Sequence, residues 1–292
     1  MQAFNHYFYF VDAPQLSQKC DNRLPLVQIK EHQGEALSAL FSLRSPWVSM
    51  TQREVRYYTN TPFEDLSTPT IMWALEIGGL FTLIWYAKNK EIHYIKAEGY
   101  SDKLLQFWVL HTFFPLVLEL ERRYHVLHVS GVKLKHKTLL FSAYSGGGKS
   151  TLVEYFIGKG HGFYGDDTVA VEEDKKGYKV ISSYPFCRPY RKPEVLGYHV
   201  LNFVQTVDLL SSVYLLERVE ADAKVNIVPL YGIEKFEVLY KSKFVSFESM
   251  KQERYLFASK MANHVEVFKI SIPWKLERLD EVYQAILMHN GV

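Results

Sequence analysis

The chain has few cysteines, and neither of them lies in a metal-binding pattern. Cys20 and Cys187 are the two cysteines among 292 residues, and no CxxC or Cys/His spacing typical of a zinc site surrounds either one. We therefore expect reduced thiols in a cytoplasmic protein. The first residues lack the basic and apolar segments of a signal peptide, which favours the same compartment.

An excess of charge of one sign is also missing. The formal net charge is +2 with both signs scattered, so the composition does not favour a nucleic-acid surface. Hydrophobic residues make up 48% of the chain and aromatic residues 15%, which is ample for a packed core. We expect two domains or one large domain, and no nucleic-acid partner, while a homo-oligomer stays open.

No apolar run is long and clean enough to predict a membrane span. Residues 71–87 are apolar, but they contain Glu76 and the pair Gly78-Gly79, which is typical of a hairpin turn. Residues 104–120 carry four residues that hydrocarbon disfavours, namely Gln106, His111, Pro115 and Glu119. We therefore expect no membrane partner.

One glycine-rich stretch carries most of the functional information. Residues 143–151 read Ala-Tyr-Ser-Gly-Gly-Gly-Lys-Ser-Thr, between the apolar run Thr138–Ser142 and the apolar-rich segment Leu152–Ile157. This order predicts a strand, a loop and a helix, which is the context of a phosphate-binding loop of the Walker A type. A plain flexible turn would not need a strand and a helix at these distances.

Each position of this loop has a predicted task. Glycines let the backbone curl so that successive N–H groups point at phosphate oxygens. Lys149 can then reach the β- and γ-phosphates, and the Ser150 hydroxyl can bind Mg²⁺. Ala143 stands where the motif usually has its first glycine. The predicted contacts to ATP or another NTP are Ser145, Gly146, Gly147, Gly148, Lys149, Ser150 and Thr151.

An acidic pair, Asp166-Asp167, follows Lys149 by 17 residues. Phosphoryl transfer needs a carboxylate to help hold Mg²⁺ and often a second one to orient or deprotonate the acceptor hydroxyl. Adjacent side chains at a strand end point to opposite sides, so one dipeptide can serve both tasks. A solvated turn is the ordinary alternative for this dipeptide, but the loop one helix upstream favours a catalytic role.

Basic residues follow in a proline-rich segment, Phe186–Pro193. A guanidinium from this segment, that of Arg188 in particular, can stabilise charge on a transferring phosphate. Arg191 and Lys192 are weaker candidates of the same kind. A solvated loop is the alternative for the segment.

The pattern of turns predicts two domains, residues 1–122 and residues 123–292. The first reads as short strands separated by turn residues and ends in a helix that Ser101 caps. In the second, we expect a hairpin across residues 135–137, a helix ending at Gly158-Lys-Gly160 and another hairpin at residues 174–177. Because antiparallel hairpins interrupt the order, the fold class is α/β with a mixed sheet rather than a doubly wound parallel one.

Further elements are expected after residue 200. The patterns predict two strands and three helical stretches, at Ser212–Glu217, Val225–Pro229, Gly232–Tyr240, 249–263 and 276–289.

The run from His128-Val-Ser-Gly-Val to Asp166-Asp167 resembles the catalytic core of the HPr kinase/phosphorylase family, which shares its core with ATP-dependent phosphoenolpyruvate carboxykinases. The matching features are a histidine fifteen residues before the loop's first position, the pair Gly160-His161 at the helix end, and the acidic pair at the matching distance from the lysine. The resemblance covers about residues 124–185. It implies a P-loop core with a mixed sheet, here preceded by a smaller β-rich domain.

The resemblance also implies an activity and site roles. Family members phosphorylate a serine on a small protein or, in peptide-modifying relatives, on a precursor peptide, with ATP and Mg²⁺. Lys149 would contact the phosphates, Ser150 with Asp167 would hold the metal, Asp166 would be the base, and His128 would sit beside the transferring phosphate.

Departures from the family pattern favour a specialised serine kinase over the HPr enzymes' reverse phosphorylase reaction. Ala143 replaces a glycine, Thr151 stands where those enzymes usually have an acid, and their later glycine-rich segment is absent. Two alternatives stay open: a regulator that binds nucleotide without transferring phosphate, and a kinase of a small-molecule hydroxyl. The aspartate pair with His128 favours the enzyme, because a sensor needs only the loop.

We expect the first domain to recognise the acceptor, since every phosphate, metal and base candidate lies after residue 124. A strand edge can capture an extended peptide, and Val55–Thr59 is the candidate strand. Covering the core or mediating dimerisation is the alternative. The aromatic residues expected to be exposed there are Tyr57, Tyr58, Trp73 and Trp85.

Overall fold

The computed structural model describes residues 1–17, 23–62, 72–144, 146–188 and 192–292. The chain forms two compact units: one contains residues 1–124 and two short later stretches that end at Leu196 and Met250, and the other contains the remaining residues from His125 onward. Three residues named above, Cys20, Ser145 and Arg191, lie outside the described residues. Cys187 is a buried free thiol.

The first unit is β-rich. Its described strands form one sheet in the order β1-β2-β3-β9-β8-β7-β6-β4, with β5 also paired to β6. Trp73 and Trp85 are partners across the β7–β8 hairpin, whose turn contains Gly78-Gly79 as predicted. The strands are β1 Gln2–Ala3, β2 His6–Phe10, β3 Leu26–Glu31, β4 Leu43–Arg44, β5 Val48–Met50, β6 Arg53–Thr59, β7 Met72–Ile77, β8 Phe81–Tyr86 and β9 Glu91–Lys96.

The candidate peptide-binding strand is not an edge. β6 pairs with β7 on one side, and on the other side Val55 faces Val48 of β5 while Thr59 faces Leu43 of β4. The backbone N–H and C=O groups of β6 are therefore paired with neighbouring strands along most of its length. An extended peptide cannot pair with β6 in the way predicted.

The aromatic residues of this region are also less exposed than expected. Trp73 and Trp85 are each 2% exposed, Tyr58 is 9% exposed, and Tyr57 is partly buried. These rings are buried because alternate side chains of the strands face a core that is rich in aromatic residues. The Trp73 ring, for example, lies 4.6 Å from that of Phe113.

Helices complete the first unit: α1 Leu37–Leu40, α2 Asp102–Trp108 and α3 Phe114–Leu120, with a π-helical turn at Val109–Phe113 between the last two. The Ser101 hydroxyl accepts a hydrogen bond from the Leu104 amide, which confirms the predicted cap. Of the part of the chain that the structure describes, Asp102–Leu120 is the one helical segment long and apolar enough to cross a membrane, and 83% of its most apolar stretch is buried in the structure.

The second unit is built around a mixed sheet in the order β13-β11-β12-β19-β21-β20. β12, β19 and β21 run parallel, and their neighbours run antiparallel to them. The mixed α/β class is therefore confirmed. The strands are β11 Ser130–Leu134, β12 Lys137–Ser142, β13 Gly162–Gly165, β19 Ser212–Val219, β20 Asn226–Pro229 and β21 Glu266–Pro273.

A smaller antiparallel sheet in the order β10-β14-β15-β18 belongs to the same unit. It contains the second predicted hairpin, in which Asp174 faces Gly177. A short pair, β16 and β17, lies outside both sheets. The strands are β10 His125–Leu127, β14 Val169–Asp174, β15 Gly177–Ile181, β16 Phe186–Cys187, β17 Tyr198–His199 and β18 Asp208–Leu209, and the helices are α4 Lys149–Gly158, α5 Gly232–Lys241, α6 Lys251–His264 and α7 Leu279–His289.

Alternating side chains of the mixed sheet form two cores. On β12, Leu139 and Phe141 pack with α4 and α7, whereas Leu140 packs with residues of the smaller sheet and of α6. β21 was not predicted, although Val267, Ile270 and Ile272 give it a strand-like composition. Because β12, β19 and β21 are parallel, their carboxyl ends meet at one edge of the sheet, where ligands of such sheets commonly bind.

Candidate active site

The predicted phosphate-binding loop connects the end of β12 with the start of α4. Gly146 and Gly148 have φ angles of 76° and 86°, in the left-handed region that glycine adopts without strain. Gly148 is the N-cap of α4, and no side chain caps that helix end. No side chain at the cap position accepts a hydrogen bond from the first backbone N–H groups of α4. A helix N-terminus of this kind can bind an anion through those N–H groups.

Glycine is required at position 147, because the backbone there lies close to Ala143 and Tyr144 of the same loop. A Cβ atom at this position would lie 2.6 Å from the Ala143 Cβ and 2.8 Å from the Tyr144 carbonyl oxygen. The Gly147 amide donates a hydrogen bond of 2.8 Å to that same oxygen. The loop is thus a tight, preformed turn, and Ala143 fits as its first residue because its methyl group occupies the space that Gly147 leaves.

Lys149 is almost fully buried, at 3% exposed. Its ammonium donates to the Ala143 carbonyl oxygen at 3.1 Å and lies 3.3 Å from Nε2 of His128. Since an ammonium can only donate, Nε2 of His128 is the acceptor in this contact. His128 lies directly after β10, in the short break before β11.

Asp166 lies directly after β13 and is 2% exposed. Its Oδ1 accepts hydrogen bonds from the hydroxyls of Ser150, at 2.9 Å, and Ser130, at 2.7 Å. Burial raises the pKa of Asp166 above its ordinary value, and the neighbouring charge of Asp167 raises that pKa further, while the two hydroxyls act in the opposite direction.

Asp167 pairs with a guanidinium. Its φ angle is 71°, and its Oδ2 accepts a 2.8 Å hydrogen bond from the Arg188 guanidinium in a largely buried ion pair. The sequence assignment joined Ser150 to Asp167 as metal ligands, whereas the structure joins Ser150 to Asp166. The Arg188 amide also donates a 3.3 Å hydrogen bond to Oδ2 of Asp166, so Arg188 contacts both carboxylates.

The residues present fit Mg²⁺. Two adjacent buried carboxylates repel one another, which favours a cation between or beside them. The Asp166 carboxylate and the Ser150 hydroxyl offer the hard oxygen atoms that Mg²⁺ prefers, and Mg²⁺ commonly binds through one or two carboxylates and substrate phosphates. Within the described residues there is no cluster of three or more His, Cys, Asp or Glu side chains that could hold a metal ion alone. The site therefore suits a metal that arrives with phosphate.

Some site residues were not predicted. Ser130 follows His128 by two positions and is fully buried beside Asp166, so a buried serine within the quoted motif was the available signal. The Ser242 hydroxyl lies 2.7 Å from that of Ser142 at the end of β12, and nothing in the sequence indicated this. Conversely, His161 of the motif lies 2.8 Å from the Tyr283 hydroxyl of α7 rather than with the carboxylates, and Lys192 is exposed.

The loop borders two cavities of the second unit. One, of about 470 Å³, contains His128, Ser142, Ala143 and Tyr144 in its wall and is otherwise lined by Leu215, Glu217, Leu230, Glu234, Glu237, Val238, Lys241, Ser242 and Lys269. The other, of about 250 Å³, lies at Gly148 and Thr151. The two cavities have no described lining residue in common.

Comparisons with known proteins give a distant likeness. No known protein-family profile matches the chain, and no curated protein matches it. A solved structure of the Hpr(Ser) kinase/phosphatase from Coxiella burnetii is similar over 57% of this chain and 99% of that chain, with 10% sequence identity and a TM-score of 0.34. A TM-score this low establishes neither a shared family nor a shared activity.

Proposed function

We propose that the second unit is an ATP- and Mg²⁺-dependent kinase that phosphorylates a serine or threonine hydroxyl of a protein or peptide. The observation that supports this most strongly is the pairing of the two aspartates: Asp166 accepts a hydrogen bond from the loop hydroxyl of Ser150 as well as from the Arg188 amide, while Asp167 accepts one from the Arg188 guanidinium. We assign the first carboxylate to a metal on the nucleotide and the second to the acceptor hydroxyl. An ATP-consuming kinase also fits the expected cytoplasmic location.

Asp166 and Ser150 are the residues that would hold Mg²⁺. When bound, the ion supplies positive charge that neutralises the β- and γ-phosphate oxygens. The backbone amides of residues 146–150 bind the phosphates, and Lys149 moves its ammonium from the Ala143 carbonyl oxygen to a phosphate oxygen. Because the lysine is already held beside the loop, its charge needs little reorganisation to act.

Asp167 takes the role of the base in this proposal. It orients the acceptor hydroxyl and accepts its proton as the hydroxyl oxygen bonds to the γ-phosphorus, while the bond from that phosphorus to the bridging oxygen breaks and ADP leaves. Arg188 exchanges its hydrogen bond with Asp167 for one with the transferring phosphate, which frees the carboxylate and stabilises the charge of the transition state. These assignments exchange the roles that the sequence suggested for Asp166 and Asp167.

His128 connects the donor side with the space for the acceptor. It lies beside the Lys149 ammonium and lines the 470 Å³ cavity. We propose that this cavity receives the acceptor side chain, so that the acceptor hydroxyl approaches from the side of the loop at His128, Ala143 and Tyr144. Recognition of the acceptor by the first unit remains a further proposal, now without β6 as its binding strand.

The test is phosphate transfer by the purified full chain. ATP labelled at the γ-phosphate is incubated with Mg²⁺ and a degenerate peptide library in which serine, threonine or neither is present. We expect label in the serine or threonine peptides and a loss of label when Asp167 is replaced by asparagine. Tight ATP binding with no transfer would favour the nucleotide-sensing regulator, and label on added small alcohols alone would favour a small-molecule kinase.

A further inference from the structure

The 250 Å³ cavity beside the loop is apolar and partly open to solvent. Its wall contains Gly148 and Thr151 from the loop and α4, and it is completed by Leu152, Ile272, Pro273, Trp274, Lys275, Leu276, Leu279 and Val282. Trp274 is 46% exposed and Leu276 is 69% exposed. Two large apolar side chains exposed together at a phosphate-binding loop indicate a site that a ligand covers.

Trp274 is held in place rather than loosely attached to the surface. It directly follows β21, and its amide donates a 3.1 Å hydrogen bond to the carbonyl oxygen of Val219 at the end of β19. The Arg218 guanidinium lies 3.5 Å from the centre of the indole ring. The ring edge reaches the loop, since a Cβ at Gly148 would lie 3.4 Å from Cζ3 of the indole. The indole is therefore a fixed wall next to the point where α4 begins.

The position of the Trp274 indole relative to the loop indicates where each end of a bound nucleotide would lie. His128 and the Lys149 ammonium mark the end at which the γ-phosphate is transferred. Thr151 lies beyond Ser150 along α4, on the wall of the smaller cavity. We therefore orient the nucleotide with its β- and γ-phosphates at Lys149 and with its α-phosphate, ribose and base on the side of Thr151 and the smaller cavity.

We propose that the cavity beside Trp274 binds the base of the nucleotide, an inference that rests on the proposed kinase function. A purine is flat and aromatic, so it gains free energy by stacking on an indole and by covering the side chains of Ile272 and Leu276. Arg218 fixes the indole through its cation–π contact. The base thus contributes affinity separately from the phosphates, which the loop binds.

The lining also determines base selectivity. Among the described residues that line this cavity there is no carboxylate or amide side chain to read the polar edge of a base. Stacking is tolerant of base identity, because every base offers an aromatic face. The polar side chains of the wall are the hydroxyl of Thr151 and the ammonium of Lys275, and we expect ATP and GTP both to serve as donors.

Calorimetric titration of the full chain with three Mg²⁺-containing probes tests the inference: ATP, GTP and inorganic tripolyphosphate. Trp274→Ala is expected to weaken binding of ATP and GTP by about tenfold or more, since stacking on an aromatic side chain contributes ~1–3 kcal/mol per base. Tripolyphosphate affinity is expected to stay within about twofold. Trp274→Phe should retain most of the ATP affinity, and Leu276→Ser, at an exposed position, should lower ATP and GTP affinity in the same direction.

Trp47 provides a matched control. It is 40% exposed and carries Arg56 at 4.4 Å from its ring centre, but it lies in the first unit. Trp47→Ala should therefore leave all three affinities unchanged. Equal losses for ATP and tripolyphosphate in Trp274→Ala would show that the indole supports the loop, and this would overturn the base site. Wild-type protein that binds tripolyphosphate as tightly as ATP would overturn the base site alone, whereas wild-type protein that binds neither would overturn the kinase proposal as well.

Discussion

Ser150 and Asp166 share a hydrogen bond of 2.9 Å that joins the phosphate-binding loop to the end of β13. The two residues lie sixteen positions apart, and helix α4 separates them in the chain. Ser150 is in the first turn of that helix, and β13 follows the end of the helix. The chain therefore returns to the loop after a single helix. This return brings the carboxylate of Asp166 to the place where a phosphate-bound metal is needed.

The first prediction concerns binding of the phosphates. Lys149→Ala should lower the affinity for Mg²⁺–ATP on the order of 100-fold, because charge-assisted hydrogen bonds contribute about 1.5–3 kcal/mol. Lys159→Ala is the control, since Lys159 is exposed at the other end of α4 and pairs with Asp280. Calorimetry measures both variants, and wild-type affinity in Lys149→Ala would contradict the assignment of the loop.

A second prediction separates the two aspartates. Asp166→Asn should remove the dependence of nucleotide binding on Mg²⁺, since it removes the carboxylate beside Ser150. Asp167→Asn should keep Mg²⁺–ATP affinity within about threefold and lower the transfer rate on the order of 100-fold or more, because the base is lost. Asparagine tolerates the left-handed conformation of Asp167, so the backbone is preserved in this variant.

The measurements for this pair are titration with and without Mg²⁺ and single-turnover transfer from labelled ATP. In the opposite result, Asp166→Asn slows transfer without changing nucleotide binding, and Asp167→Asn abolishes the effect of Mg²⁺ on binding. That result would restore the roles that the sequence suggested, with Asp166 as the base and Asp167 as the metal ligand.

The third prediction concerns the shape of the loop. Gly147→Ala should weaken ATP binding by at least about tenfold, because the added methyl group would lie 2.6 Å from the Ala143 Cβ and force the turn open. Gly158→Ala, at the far end of the helix that follows the loop, is the control, because an added Cβ there meets no atom within 4 Å. Circular dichroism should show both variants folded. Equal ATP affinity in the two variants would show that the loop adapts freely.

A fourth prediction concerns the pH dependence of stability in the first unit. His6 is 3% exposed, lies 2.7 Å through Nδ1 from the Phe4 carbonyl oxygen, and packs edge-on against Phe114. Burial lowers the pKa of His6 to about 4 from its ordinary 6.5. The unfolded chain thus binds a proton that the folded unit excludes. Stability should be fully present above pH 6.5 and fall as the pH decreases to about 4, by a total on the order of 3 kcal/mol from this group.

Thermal unfolding between pH 4 and pH 7.5 checks this prediction through the slope of the midpoint with pH. His6→Asn, which cannot titrate, should show a shallower slope below pH 6.5 whatever its absolute stability. His136→Asn, at an exposed position in the β11–β12 turn, should keep the wild-type slope. An unchanged slope in His6→Asn would mean that His6 does not contribute to acid destabilisation.

Local signals in the sequence were sufficient for several elements of the fold. The glycines and lysine of residues 146–149 predicted the loop and the start of α4, the pair Gly78-Gly79 predicted a hairpin, and Ser101 predicted a helix cap. These signals work because turn, cap and loop conformations depend on residues within a few positions of each other. The side-chain types needed for phosphate and metal contacts were likewise recognisable from their spacing.

The tertiary structure decided what depends on residues distant in the chain. The order of the strands placed β21 between β19 and β20, and it gave β6 strand neighbours on both sides. Core packing buried Trp73 and Trp85. The fold brought the hydroxyls of Ser130 and Ser150 and the Arg188 amide to Asp166, and the Arg188 guanidinium to Asp167. The sequence determined which groups the site contains, whereas their pairing followed from the order of the strands and the course of the chain between them, because neither is encoded by neighbouring residues alone.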